Sequence, residues 1–234
     1  MFFYIKKKTI NHNQLFNNAK LLIFPNSEVD EIKRIIKDNT SILQNQIFKN
    51  ILKNELFLLT LQNSLLRDKF LETFLNKVRK EIILSKASYK NNDINYLNFV
   101  ISIAEQCFLN EYVYFQTDEE ITKAKLLLNK VEKDIHINEL EIAILACFIP
   151  LNNSKNISKQ LLNFNSQNYL FNDLINLQIR ETKKENELMK TIKSIEKITN
   201  EVSKKVQKQY KENPYPKWRY LTEGVTSNFL NILN

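Results

Sequence analysis

A chain of 234 residues with 43% apolar and 26% charged side chains has enough hydrophobic material for one domain or two small ones, which excludes a disordered polypeptide. Its single glycine excludes a glycine-rich nucleotide loop within the chain and argues against tight β-turns, leaving α-helices joined by Asn, Asp and Ser turns. The net charge of +8 is scattered along the chain except near the C-terminus, where Lys204, Lys205, Lys208, Lys211, Lys217 and Arg219 face Glu201, Glu212 and Glu223. That stretch reads either as a solvated helix face or as a basic patch for an acidic partner or nucleic acid, and no recognised nucleic-acid motif accompanies it.

Cys107 and Cys147 each sit among apolar residues and are expected to be buried free thiols in a reducing compartment. His12 and His136 have no partners at metal-ligand spacing, so no zinc site is expected. The apolar start Met1–Ile5 precedes Lys6, Lys7 and Lys8, the reverse of a secretory signal. No apolar run approaches the roughly 20 residues that span a bilayer. A cytoplasmic location is the expectation.

In chain order, residues 1–25 carry no decisive signal, although Gln14–Phe24 reads as a short helix that Pro25 ends. Ser27 is expected to cap a helix through Asp38, with Val29, Ile32, Ile35 and Ile36 on one face. Ile42, Leu43, Ile47, Ile51 and Leu52 mark a second helix after Asn39–Ser41. Leu56–Leu61 belongs to a core helix that either continues to Leu66 or breaks near Asn63–Ser64. Asp68–Leu84 is amphipathic, with Phe70, Phe74, Leu75, Val78, Ile82 and Ile83 inward, and a polar connection follows over Ser85–Asn92.

Asp93–Phe115 is the longest apolar stretch without a breaker. Glu105 inside it is either exposed or bonded at a cap, or buried and in need of a partner. Thr117-Asp118-Glu119-Glu120 has capping-box spacing and opens a helix to Lys133. Asn138 opens another over Glu139–Phe148, with Pro150 after it and a close-packing face of Ala143, Ala146 and Cys147. Leu151–Asn156 reads as a loop, Ile157–Phe164 and Asn168–Ile179 as short helices, and Glu181–Glu187 as a charged linker. No 34-residue period is convincing, and an all-α array of packed antiparallel helices, helical-repeat-like, is the expected architecture.

Asn200 caps a last helix that Pro214 must end. Pro214 and Pro216 make Asn213–Lys217 an extended segment close to polyproline II, holding Tyr215 and Trp218 out from a stiff backbone. Those aromatics either dock on the neighbouring core, making a rigid linker, or line a ligand or interdomain cleft. Beyond them, Thr226 and Ser227 can cap a helix with Phe229, Leu230, Ile232 and Leu233 on its apolar side, and the chain stops after two turns. A helix so short is marginal alone. The expectation is docking on a further domain, a truncated product, or a tail folded back. The parts are thus an N-terminal segment (1–25), a helical domain (26–200), and a helix with a proline and aromatic linker (201–234).

The run Val202–Trp218, V-S-K-K-V-Q-K-Q-Y-K-E-N-P-Y-P-K-W, resembles the segment preceding the core of bacterial class I methyltransferases that use S-adenosylmethionine (SAM), often after a helical or tetratricopeptide-repeat region. Their pattern is close to V-S-x-x-V-R-x-Q-Y-E-E-N-P-Y-P-R-W, and Gln207, Lys211 and Lys217 depart from it. Ala104–Tyr114 (A-E-Q-C-F-L-N-E-Y-V-Y) and Glu139–Leu151 (E-L-E-I-A-I-L-A-C-F-I-P-L) resemble the same proteins in order and spacing, so the likeness covers roughly Asp93–Trp218. It implies a helical substrate- or partner-binding region whose linker residues are Tyr210, Asn213, Pro214, Tyr215, Pro216 and Trp218. In that family a strand and a glycine-rich turn follow and bind SAM. This chain ends at Asn234 first. The resemblance therefore implies a part cut or encoded apart from its methyltransferase core, its partner in cis or trans, with no catalytic or cofactor-binding residue of its own and no activity alone. The alternative is a stand-alone helical interaction module that binds protein through the Tyr215 and Trp218 edge.

Overall fold

The computed structural model describes residues 20, 22–85, 93–192 and 200–212, the last three as backbone. No strand occurs among them. In chain order the helices are α1 (Asn26–Lys37), α2 (Gln46–Ile51), α3 (Glu55–Asn63), α4 (Lys69–Leu84), α5 (Ile94–Leu109), α6 (Asp118–Lys133), α7 (Glu139–Ala146), α8 (Lys155–Leu161), α9 (Tyr169–Ile175), α10 (Glu181–Thr191) and α11 (Glu201–Glu212). A 3-10 turn, Leu151–Asn153, precedes α8, and a π turn, Asn176–Arg180, joins α9 to α10. None of these helices is long and apolar enough to cross a membrane.

Helix α5 is the centre. It is buried on every side from Phe99 to Leu109, as its continuous apolar run dictates. It packs on α3, α7 and α9, while α4 packs on α1 and α6. Beside it, Phe24, Phe57, Phe74, Phe99 and Phe48 form a chain of edge-on and tilted rings with centroids 5.1 to 6.3 Å apart. Burying each such ring contributes roughly 1.5–3 kcal/mol, and each ring pair about 0.5–1.5 kcal/mol more.

The helices start as the sequence requires. The side chains of Asn45, Asn54, Asp68, Asp93, Thr117, Asn138, Ser154 and Asn168 each accept a backbone N–H of the helix they open. Thr117 and Glu120 form the full capping box. Where helices stop, long side chains from elsewhere hold the backbone. Glu81 accepts from the N–H groups of Ile42 and Leu43. Gln106 donates to the Ser64 carbonyl at 3.0 Å and accepts from Leu66 N–H. Arg180 donates to the carbonyls of Leu162 and Phe164.

Several boundaries differ from the sequence reading. Helix α1 starts at Asn26 after Pro25, and Ser27 does not cap it. Ile42 and Leu43 are buried but precede α2, because Asn39 turns the chain at φ 51° and Asn45 supplies the cap. Helix α3 ends at Asn63, so of the two alternatives the break near Ser64 is the one formed. Helix α5 ends at Leu109, and Asn110–Phe115 is a loop. The expected loop at Leu151–Asn156 contains the 3-10 turn and the start of α8. The stretch read as a charged linker, Glu181–Glu187, lies inside α10, where its charged residues are good helix formers. Glu105 is fully buried, since α5 is covered all round.

Candidate functional site

Of the linker residues singled out, Tyr210 lies in the last turn of α11, without a described side chain. Asn213, Pro214, Tyr215, Pro216 and Trp218 lie outside the described residues, as do the glycine at 224 and the tail. Asn200 does cap α11, accepting from Val202 and Ser203 N–H. Val202 and Val206 on that helix are exposed, by 69% and 44%.

The other two segments that carry the resemblance are packed on one another. They converge where α7 ends, and Pro150 explains why. The Ala146 carbonyl would accept from residue 150, but proline has no N–H. The Tyr112 hydroxyl donates to it instead, at 3.0 Å. The next carbonyl, of Cys147, accepts from Arg79 Nε at 3.2 Å, and that of Phe148 from Gln116 Nε2 at 3.1 Å. Leu151 N–H in turn donates to Gln178 Oε1 at 3.0 Å. Three consecutive carbonyls at one helix end are thus satisfied from α4 and from the loop after α5. Gln178 belongs to the π turn, whose extra residue re-aims side chains.

Arg79 is 1% exposed. Its guanidinium carbon lies 4.7 Å from the Phe148 ring centre and 5.5 Å from that of Tyr114. It also donates to Asn76 Oδ1 at 3.1 Å. No carboxylate lies within ion-pair distance of it among the described residues. Next to it, Asn110 and Tyr114 are buried; neither side chain's polar atoms reach a partner at full hydrogen-bond geometry, while the Asn110 amide lies close enough to the Tyr114 hydroxyl to favour its ionised form. The backbone here is unusual too. Glu111 and Tyr112 both adopt left-handed φ, at 58° and 56°, which costs a non-glycine residue about 1 kcal/mol or more.

Around the site, burial and the Arg79 charge act on the ionisable side chains in opposite senses. Burial pushes the Cys107 thiol up from its ordinary 9.0 to about 11, with nearby Arg79 pulling it back. Burial likewise raises Cys147, Tyr112 and Tyr114, and Arg79 opposes each shift. Both cysteines are buried free thiols, which makes them inert rather than nucleophilic. Among the described residues no group of His, Cys, Asp and Glu could hold a metal, and His136 is exposed.

The sequence reading missed Arg79 and Gln178, although a signal was present. Arg79 stands four residues after Leu75 and three before Ile82, on the inward stripe of α4, and Gln178 stands four after Leu174. A polar side chain in register with buried apolar ones is the informative observation. A second feature is an open cleft of about 450 Å³ between α8 and α10, lined in part by Lys159, Lys183, Lys190 and Glu187. No residue of the Arg79 cluster lines it. No strand and no glycine occur among the described residues. Comparison with known family models, curated proteins and solved structures returns no match.

Proposed function

We propose that these helices are the substrate- or partner-holding part of a SAM-dependent methyltransferase, methyl transfer being the work of a separate core domain acting in cis or in trans. The observation that supports this reading is the convergence of Ala104–Tyr114 and Glu139–Leu151 on one polar site, through Tyr112 on Ala146 and Arg79 on Cys147. Segments that carry the likeness by sequence also share a locus with strained backbone and buried unpaired polar groups, a combination typical of binding sites. The reading places the protein in the cytoplasm, where Cys107 and Cys147 stay reduced. The test is calorimetry of SAM against this chain alone and against the chain carrying any contiguous coding sequence. Binding only by the longer form supports the reading. Binding by this chain alone overturns the division of labour, and binding by neither overturns the assignment.

A second reading, a stand-alone interaction module, is favoured by Val113 and Phe115, which are 74% and 72% exposed on the loop that carries Tyr114. Under it, Phe115→Ser abolishes capture of a protein partner while leaving the fold intact. Unchanged capture counts against it.

A further inference from the structure

We propose that the open cleft between α8 and α10 binds a small phosphate monoester with an apolar body. The proposal goes beyond the reading above, since it needs neither SAM nor a core domain. The cleft has a volume of about 450 Å³, within the roughly 300–1,000 Å³ that small-molecule sites occupy. One wall is a single stripe of α10. Thr182, Lys183, Asn186, Glu187 and Lys190 line the cleft at spacings of three and four residues, so they share one helix face. That stripe is polar, whereas a helix packed on its neighbour turns its apolar side inward. Leu188 and Met189 of the same helix do not line the cleft and are exposed. No residue of α10 is buried. The helix thus stands beside α8 without closing on it, and polar groups border the gap.

The chemistry of the lining selects the ligand. Lys159 of α8 joins Lys183 and Lys190 against Glu187 alone, a formal excess of two positive charges. None of these four side chains makes an ion pair among the described residues. Yet Glu187 stands four residues after Lys183 and three before Lys190. Elsewhere Lys20, Lys77 and Lys130 do reach carboxylates. A phosphate monoester carries a charge of about −1.5 to −2 near pH 7, which matches the excess, whereas a carboxylate balances half of it. The cations of the cleft are lysines, with no arginine among them. An ammonium serves phosphate as a point charge, without the planar pairing that arginine gives a carboxylate. Thr182 and Asn186 add a hydroxyl and an amide as neutral donors. Leu162 and Ile179 supply apolar lining for the rest of the molecule, which favours an ester over free phosphate.

The experiment is a titration of the full ¹⁵N-labelled chain with phenyl phosphate at constant ionic strength, followed by NMR through the amide signals of α8 and α10. Inorganic phosphate and benzoate are the comparison probes. The expected result is a saturable shift centred on these two helices, with phenyl phosphate bound more tightly than either comparison probe. Lys159→Gln, Lys183→Gln and Lys190→Gln each lower the affinity about two- to fivefold, the worth of one exposed ion pair. Glu187→Gln raises it by a similar factor. Lys184→Gln, on α10 but outside the cleft, leaves it unchanged. All of these side chains are exposed, so the variants keep the fold. Absence of a saturable shift, phosphate or benzoate binding as tightly as phenyl phosphate, or an equal loss of affinity in Lys184→Gln overturns the proposal. SAM calorimetry reads a different ligand, so phenyl phosphate binding without SAM binding leaves this inference standing when the methyltransferase reading falls.

Discussion

Two tyrosines two residues apart should respond oppositely to loss of the same atom. In Tyr112→Phe the Ala146 carbonyl loses the donor that replaces the missing N–H of Pro150. An orphaned buried carbonyl and a lost hydrogen bond cost about 1–3 kcal/mol, and the weaker contact from the same hydroxyl to Gln178, at 3.4 Å, adds little. The expected destabilisation is about 2 kcal/mol. In Tyr114→Phe the deleted hydroxyl makes no full hydrogen bond to the protein beyond its approach to the Asn110 amide, and it is already desolvated in the folded chain. Its removal relieves a cost of about 1 kcal/mol. Urea unfolding followed by far-ultraviolet circular dichroism measures both, as opposite displacements of the midpoint at constant slope. For a chain of this size the matching melting shifts are about −4 to −8 °C and +2 to +4 °C. Equal displacements of the same sign would refute the assignment of the two hydroxyls.

Three further outcomes follow from the same geometry. Stability should fall as pH rises from 9 to 11, because the unfolded Cys107 thiol ionises near 9.0 and the folded one only near 11. The contribution is complete below pH 9 and is lost through the folded value. It amounts to about 2–3 kcal/mol, and Cys107→Ala should make that limb of the pH profile shallower by this amount, the part due to buried Cys147 and Tyr112 remaining. Thr117→Ala, which breaks the capping box of α6, should cost about 1–2 kcal/mol in a denaturant titration, while Thr122→Ala on the exposed face of the same helix should cost under about 0.5 kcal/mol. Phe57→Ala, at the middle of the ring chain, should cost about 3–5 kcal/mol and is the variant expected to lower yield of folded protein.

Helix starts were the most legible feature. Thr117, Asp93, Asn138 and Asn200 act as caps because an N-cap is decided by one side chain and the N–H groups two or three residues on. Ser27 failed because Pro25 fixes the chain so that α1 begins before it. Ends were less legible. Ile42 and Leu43 looked helical by apolar spacing, yet the fourth turn of α4 supplies Glu81 to hold them in a non-helical loop, and no local pattern announces a partner 39 residues away. The Glu181–Glu187 run was misread for the opposite reason, since charge density marks exposure and α10 is an exposed helix. The polar cluster was half visible. Its segments were noticed for their likeness, but the role of Arg79 depends on the pairing of α4 with the end of α7, which is a property of packing.

The way α7 ends has a consequence for how the molecule opens. A helix closed by its own glycine turn can fray alone, whereas residues 146–151 are tied to α4, to the loop after α5 and to the π turn at once. Their amides should therefore exchange with solvent only through a cooperative opening that involves several helices, not through local breathing. A chain almost without glycine has in this way turned its helix ends into the joints that make separate helices behave as one folding unit.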